Sequence, residues 1–158
     1  MEISLDSKNI FTEYNKPTDW SVYFDNFTLS HLPLEDYMDR KAWLENIGRI
    51  IDSMDAEGFA ALMTENGTFR FGNMPAVVGR ANIAETVRQF WSMIKNSENH
   101  EVVDFWEKPG SVVWQGSVLY TRMDGRQVKV QFTNIFHLDG DLIQDYLIYI
   151  DNGPLWEA

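Results

Sequence analysis

Phe69-Arg70-Phe71-Gly72-Asn73-Met74-Pro75, followed by Val78-Gly79-Arg80, decides how this chain is read. Thr68 to Phe71 alternates as a short strand, and Gly72-Asn73-Met74-Pro75 supplies turn residues. Gly79 then precedes a helical segment with Ile83, Val87, Phe90, Trp91 and Ile94 on one face. A strand that swings through a turn into a helix, read with the strands that follow, predicts an α+β fold. In it a cone-shaped, curved antiparallel sheet wraps around three N-terminal helices and encloses one apolar pocket.

Upstream, Pro33 suits a helix start because its missing N–H is not needed there. Trp43, Ile47, Ile50, Ile51 and Met54 recur at helical spacing. Asp55 is expected to cap a second, shorter helix carrying Phe59, Leu62 and Met63, which Asn66-Gly67 would end. Downstream the period changes to that of strands. His100–Glu107, Ser111–Arg122, Gln127–Leu138 and Leu142–Asp151 are rich in Val, Ile, Tyr, Phe and Trp. Pro109-Gly110, Asp124-Gly125 and Asp139-Gly140 separate them with hairpin chemistry, which predicts an antiparallel meander.

Residues 1–33 hold Phe11, Tyr14, Trp20, Tyr23, Phe24 and Phe27 among polar residues without a clear period. A disordered tail would be poorer in aromatics, so an ordered aromatic-rich arm is expected before a single domain over 34–158. The 158 residues suffice for one well-filled core. Asp and Glu number 24 against 13 Lys and Arg, a net charge of −11, which argues against nucleic acid and anionic membrane as partners. The absence of cysteine excludes thiolate chemistry and Cys-ligated zinc. His31, His100 and His137 have no close ligand spacing, so no metal is expected. No Gly-rich phosphate loop or dinucleotide fingerprint is present, so no cofactor is expected. The N-terminus shows no secretory pattern, and a cytoplasmic protein is the expectation.

These elements, with Leu119-Tyr120-Thr121-Arg122, Asn134-Ile135-Phe136, Asp145–Asp151 and Pro154-Leu155, resemble the nuclear transport factor 2-like superfamily, and within it the SnoaL-like branch. The resemblance covers roughly residues 37–157. It implies a fold that hosts polyketide cyclases, ketosteroid isomerases, dehydratases, epoxide hydrolases and silent binders, so the fold alone does not decide function. It also implies a homodimer through the outer face of the sheet. Asn73-Met74-Pro75 matches the Asn-Met-Pro of the limonene-type epoxide hydrolases, whose Asn helps to hold the attacking water. Phe71, however, stands where that branch has Tyr. Its Arg and first Asp fall on Gln115 and Ser117, and its second Asp falls near Leu147 or Ile148. Epoxide opening would therefore need Asp145 or Asp151 to reach the pocket through a register shift.

Strand alternation nominates the pocket's polar groups. Phe69, Phe71 and Asn73 should face inward with His100, Val102, Asp104 and Trp106. So should Val113, Gln115, Ser117 and Leu119 on the next strand, then Val128, Val130, Phe132, Asn134 and Phe136, and finally Gln144, Tyr146, Ile148 and Ile150. His100 is the foremost acid–base candidate, because imidazole titrates near neutral pH. Asp104 is the substitute base, about 13 Å from His100 at ~3.3 Å per residue and so no dyad partner for it. A pairing of Asp104 with Arg70 or Lys129 is the structural alternative. Tyr146 is expected to hydrogen-bond a developing enolate, with Gln115, Asn134 or Asn73 orienting a carbonyl. Trp43, Met54, Phe59, Met63 and Trp91 are expected to form the helical wall of the binding pocket, facing Phe71, Phe132 and Ile148. The resulting expectation is a cofactor-independent isomerase, cyclase or dehydratase for a hydrophobic carbonyl-containing metabolite such as a polyketide or terpenoid. A non-catalytic binding or dimerisation module, and an epoxide hydrolase with shifted residues, are the alternatives.

Overall fold

The computed structural model describes residues 34–157. The aromatic segment 1–33, with the arm expected there, and Pro33 and His31 lie outside them. Helix α1 spans Leu34–Asp52 and buries Leu44, Ile47 and Ile51, one apolar stripe of the kind its spacing predicts. Helix α2, Ala56–Ala61, is capped by Asp55, whose Oδ1 accepts from the Gly58 N–H at 3.0 Å.

The chain leaves α2 earlier than its composition suggests. Strand β1 runs Met63–Phe71, so Asn66-Gly67 lies inside a strand and Met63 opens it. The Leu62 carbonyl accepts from Ile143 N–H at 2.9 Å, drawing the chain into the sheet. The turn-prone pair is absorbed where pairing shifts register between Met63 and Thr68. Strand β2 (Val77–Val78) folds back on β1, and helix α3 follows over Arg80–Ser92. Ile94 is not the end of that helix but the start of β3, Ile94–Lys108. Strands β4 (Ser111–Arg122), β5 (Gln127–Asp139) and β6 (Leu142–Ile150) complete the predicted meander, and a short α4 (Gly153–Trp156) closes it.

The six strands form one curved, open sheet in the order β2-β1-β6-β5-β4-β3. It is mixed rather than antiparallel throughout, because β6 enters between β5 and β1 and runs parallel to β1. No hairpin joins β1 to β6. The direction of β6 is set by the turns of the meander, and these bring it in alongside β1.

Two faces were misassigned by simple alternation. On β4 the buried residues include Val112, Trp114, Val118 and Tyr120, while Gln115 is exposed. Val, Leu, Trp and Tyr stand on both parities of this strand, so hydrophobicity alone does not select a face. On β3 three extra residues interrupt the pairing, between Ile94 and Asn96, between Glu98 and Glu101 and between Val102 and Asp104. Each reverses the parity that follows. Phe105 therefore faces the core, and Asp104 and Trp106 are exposed.

The helices cover one face of the sheet with rings. Trp43 meets Phe136 edge-on at 5.4 Å, Phe59 stacks on Tyr146 at 5.5 Å, and Trp114 meets Phe132 at 4.9 Å. Beside this ring cluster lies an apolar cavity.

Candidate active site

The cavity measures about 160 Å³. Its walls are Ile51 at the end of α1, Phe59 of α2, Phe69 and Phe71 of β1, Val87, Phe90 and Trp91 of α3, and Phe132, Ile148 and Ile150 of the sheet. Met74, Gln89 and Met93 are exposed and form its mouth. Among the described residues its polar groups come from His100, Tyr120, Asn134, Tyr146 and, toward the mouth, Thr86 and Gln89, and no Lys, Arg, Asp or Glu lines it.

His100 reaches the cavity because of the bulge between Glu98 and Glu101, where Asn99 takes a positive φ of 59°. Asn tolerates that conformation better than most residues, and bulges commonly re-aim a side chain. The ring is 5% exposed and lies 5.7 Å from the Phe132 ring. Its Nδ1 lies 2.5 Å from Asp52 Oδ1, while the His100 backbone N–H donates to Asp52 Oδ2 at 3.2 Å. A carboxylate only accepts, so Nδ1 carries the proton and the Nε2 lone pair is left free. Asp52 thus fixes the tautomer and the orientation of the ring. Gly48 makes room for this crossing, since a Cβ there would lie 3.1 Å from His100 Cβ and 3.2 Å from its carbonyl oxygen.

Opposite, Tyr146 is completely buried and its hydroxyl accepts from Asn134 Nδ2 at 3.0 Å. Burial pushes the Tyr146 hydroxyl well above the usual tyrosine range, helped by the neighbouring Tyr120. Burial, and then the negative charge of Asp52, push Tyr120 up as well. Both hydroxyls therefore stay protonated and serve as donors rather than bases. The sign for stability follows. Below about pH 10 the folded and unfolded states are both protonated, and the contribution is complete. Above it the unfolded chain ionises first and stability is lost. The unfolding free energy should fall above about pH 10, and less steeply in Tyr120→Phe and Tyr146→Phe variants. Equal slopes in denaturant titrations of all three proteins would contradict this.

Of the residues singled out from sequence, His100, Tyr146, Asn134, Phe71, Phe59, Trp91, Phe132 and Ile148 line the cavity. The others do not. Asn73 is exposed in the turn after β1, and its neighbour Met74 reaches the mouth instead. Asp104 is exposed and accepts from the Phe105 N–H at 2.8 Å. Its suggested partners are engaged elsewhere, Arg70 with the Tyr149 hydroxyl and Lys129 with Glu101. Gln115 is exposed by the β4 parity described above. Trp43 packs on Phe136 under Arg40, Met63 is fully buried in the core, and half-buried Met54 packs at its edge. Asp145 binds Thr68 and His137, and Asp151 accepts from Gly153 N–H at 3.0 Å, so neither carboxylate enters the cavity.

Sequence reasoning missed Asp52 and Tyr120. Asp52 had one available signal: it is an acid in the last turn of α1. A negative charge is disfavoured at that end of the helix dipole, so it needs a compensating partner, and His100 supplies one. Among the described residues no group of three or more His, Asp or Glu side chains is placed to hold a metal. No helix there is long and apolar enough to cross a membrane.

Comparison with known proteins places this architecture. Among curated proteins none is significantly similar to the chain. Solved structures share the fold at low identity. An NTF2-like protein of unknown function from Burkholderia pseudomallei is 13% identical with a TM-score of 0.64, over 70% of this chain and 89% of that one. A candidate polyketide cyclase from Xanthomonas campestris is 12% identical with a TM-score of 0.65, over 74% and 94%. A limonene epoxide hydrolase-like (LEH-like) epoxide hydrolase from M. tuberculosis is 13% identical with a TM-score of 0.59, over 70% and 81%. The SnoaL-like domain family matches residues 43–146, and the chain belongs to that family, within the NTF2-like superfamily.

Proposed function

We propose that the protein is a cofactor-independent acid–base enzyme acting on a hydrophobic carbonyl compound, of isomerase, cyclase or dehydratase type. The observation that carries this reading is the Asp52–His100 pair, with the imidazole at the wall of an apolar cavity and no partner for its Nε2 among the described residues. His100 Nε2 removes a proton from the carbon next to the substrate carbonyl. The electron pair moves to the carbonyl oxygen, where a tyrosine hydroxyl meets the developing negative charge. The imidazolium, held by Asp52, then returns the proton to another carbon (isomerisation) or to a departing hydroxyl, which leaves as water (dehydration). In a cyclisation the enolate carbon attacks a second carbonyl, whose oxygen takes the proton.

A silent binder would have no use for a buried imidazole held in one tautomer. Epoxide hydrolysis by paired carboxylates lacks support, since among the described residues no acid lines the cavity. The proposal includes a homodimer through the outer face of the sheet, where Tyr149 is exposed. The test is hydrogen exchange: cyclic enones and 1,3-diketones are incubated with the protein in D₂O, and deuterium uptake next to the carbonyl is followed by NMR. Protein-dependent uptake that requires His100 is expected. Uptake equal in the wild type and a His100→Ala variant would refute the assignment.

A further inference from the structure

The cavity carries a second signal, concerning what it accepts. Asn134 is 2% exposed, and its Nδ2 is committed to the Tyr146 hydroxyl while its Oδ1 has no protein partner. Among the described residues three buried side-chain polar atoms are unpartnered, on Arg70, Ser97 and Asn134. Of these residues only Asn134 lines the apolar cavity. A buried acceptor left unpaired is unfavourable, and a ligand that supplies the missing donor recovers that loss. Turning the amide over would let Oδ1 accept from Tyr146 and would leave Nδ2 as the unpaired group instead. A hydroxyl satisfies either arrangement, because it both donates and accepts.

Size and charge narrow the class further. A cavity of about 160 Å³ lined by rings suits a single six-membered ring, since an apolar cavity of about 150 Å³ takes up benzene. With no Lys or Arg among the described residues of the lining, an anionic ligand would be desolvated without a counter-charge from them. His100 and Asn134 both line the cavity, and Asn134 stands two residues beyond Phe132, against which the His100 ring lies, on the same face of β5.

We infer that the site binds an uncharged, single-ring enol or phenol whose hydroxyl bonds the free end of the Asn134 amide and whose opposite edge lies against His100. This rests on the cavity being a substrate site and names the substrate class: a ring ketone bound as its enol. Apolar substituents leave by the mouth between Met74 and Met93.

The test compares p-cresol, toluene and 4-methylbenzoate as ligands by calorimetric titration. Wild-type protein should bind p-cresol at least about tenfold more tightly than toluene and should not take up the benzoate. An Asn134→Leu variant should still bind toluene, which also reports an intact cavity, and should lose the preference for the phenol. Equal affinities for p-cresol and toluene in the wild type overturn the inference, and that comparison needs no variant. A preference that survives in Asn134→Leu, or tighter binding of the benzoate, also overturns it. In a His100→Ala variant the phenol preference should persist even though deuterium exchange is lost. A failure of the acid–base reading is thereby separated from a failure of this one.

Discussion

Replacing His100 with alanine should lower protein-dependent deuterium exchange by about 10²–10⁴-fold, the range contributed by one positioned general base. The remaining binding groups, Asn134 and the two tyrosines, are untouched, so affinity for a ring ligand should change far less than the rate. Asp52→Asn is the more discriminating variant. It nearly preserves the shape of the side chain that contacts the His100 backbone N–H at 3.2 Å and Nδ1 at 2.5 Å. An amide, however, can also donate to Nδ1 and so favour the opposite tautomer, with the proton on Nε2, where it cannot serve as a base. The expected result is a fall in exchange of the same order with an almost unchanged thermal midpoint. A rate within about twofold of wild type in both variants would remove the pair from the mechanism, because a base worth so little lies outside the range for such groups.

Gly116→Ala should destabilise the fold by about 3 kcal/mol, the upper end for overpacking a filled site. Gly116 pairs with Val102 on one side and with Phe132 on the other. A Cβ there would run into the Glu101 carbonyl oxygen and come within 2.5 Å of Phe132 Cζ. The Phe132 ring lies over this glycine, an arrangement in which an aromatic covers the gap left by the absent side chain. The Glu101 carbonyl also accepts from Trp114 Nε1 at 3.1 Å, so its displacement would disturb a buried hydrogen bond. Phe132 in turn contacts His100, which ties this steric requirement to the site. Urea denaturation of wild type and variant measures the difference. A loss below about 1 kcal/mol would mean that strands β3 and β5 give way freely at this point, against the close packing expected of a core.

The fold was legible where chemistry is local. The Asp55 cap, the Gly-containing hairpin turns and the helical stripe through Ile47 and Ile51 follow from short-range rules, and the structure carries them. The direction of β6 beside β1 was not legible, since it depends on pairing between segments some 80 positions apart, as in Phe69 with Tyr146. The site divides the same way. On β5 and β6 the alternation of Phe132 and Asn134, and of Tyr146, Ile148 and Ile150, placed cavity side chains, whereas Gln144, assigned to the same face, lies at a register shift of β6 where Ile143 is the buried residue. On β3 inserted residues reset the parity, which put Asp104 outside and made His100 depend on one local irregularity. Asp52 was hidden for a different reason. It serves as a partner only once α1 has crossed β3 at Gly48, a contact between residues 48 positions apart in the sequence.

The claim on which the account turns is the state of one ring. Nitrogen-15 NMR of histidine-labelled protein, recorded with the His100 ring neutral, reports which nitrogen carries the proton. The account predicts Nδ1–H bonded to Asp52, with an unprotonated Nε2 whose shift moves when p-cresol binds. An Nε2–H tautomer would contradict it, because the ring nitrogen not bonded to Asp52 would then hold no lone pair with which to take a proton.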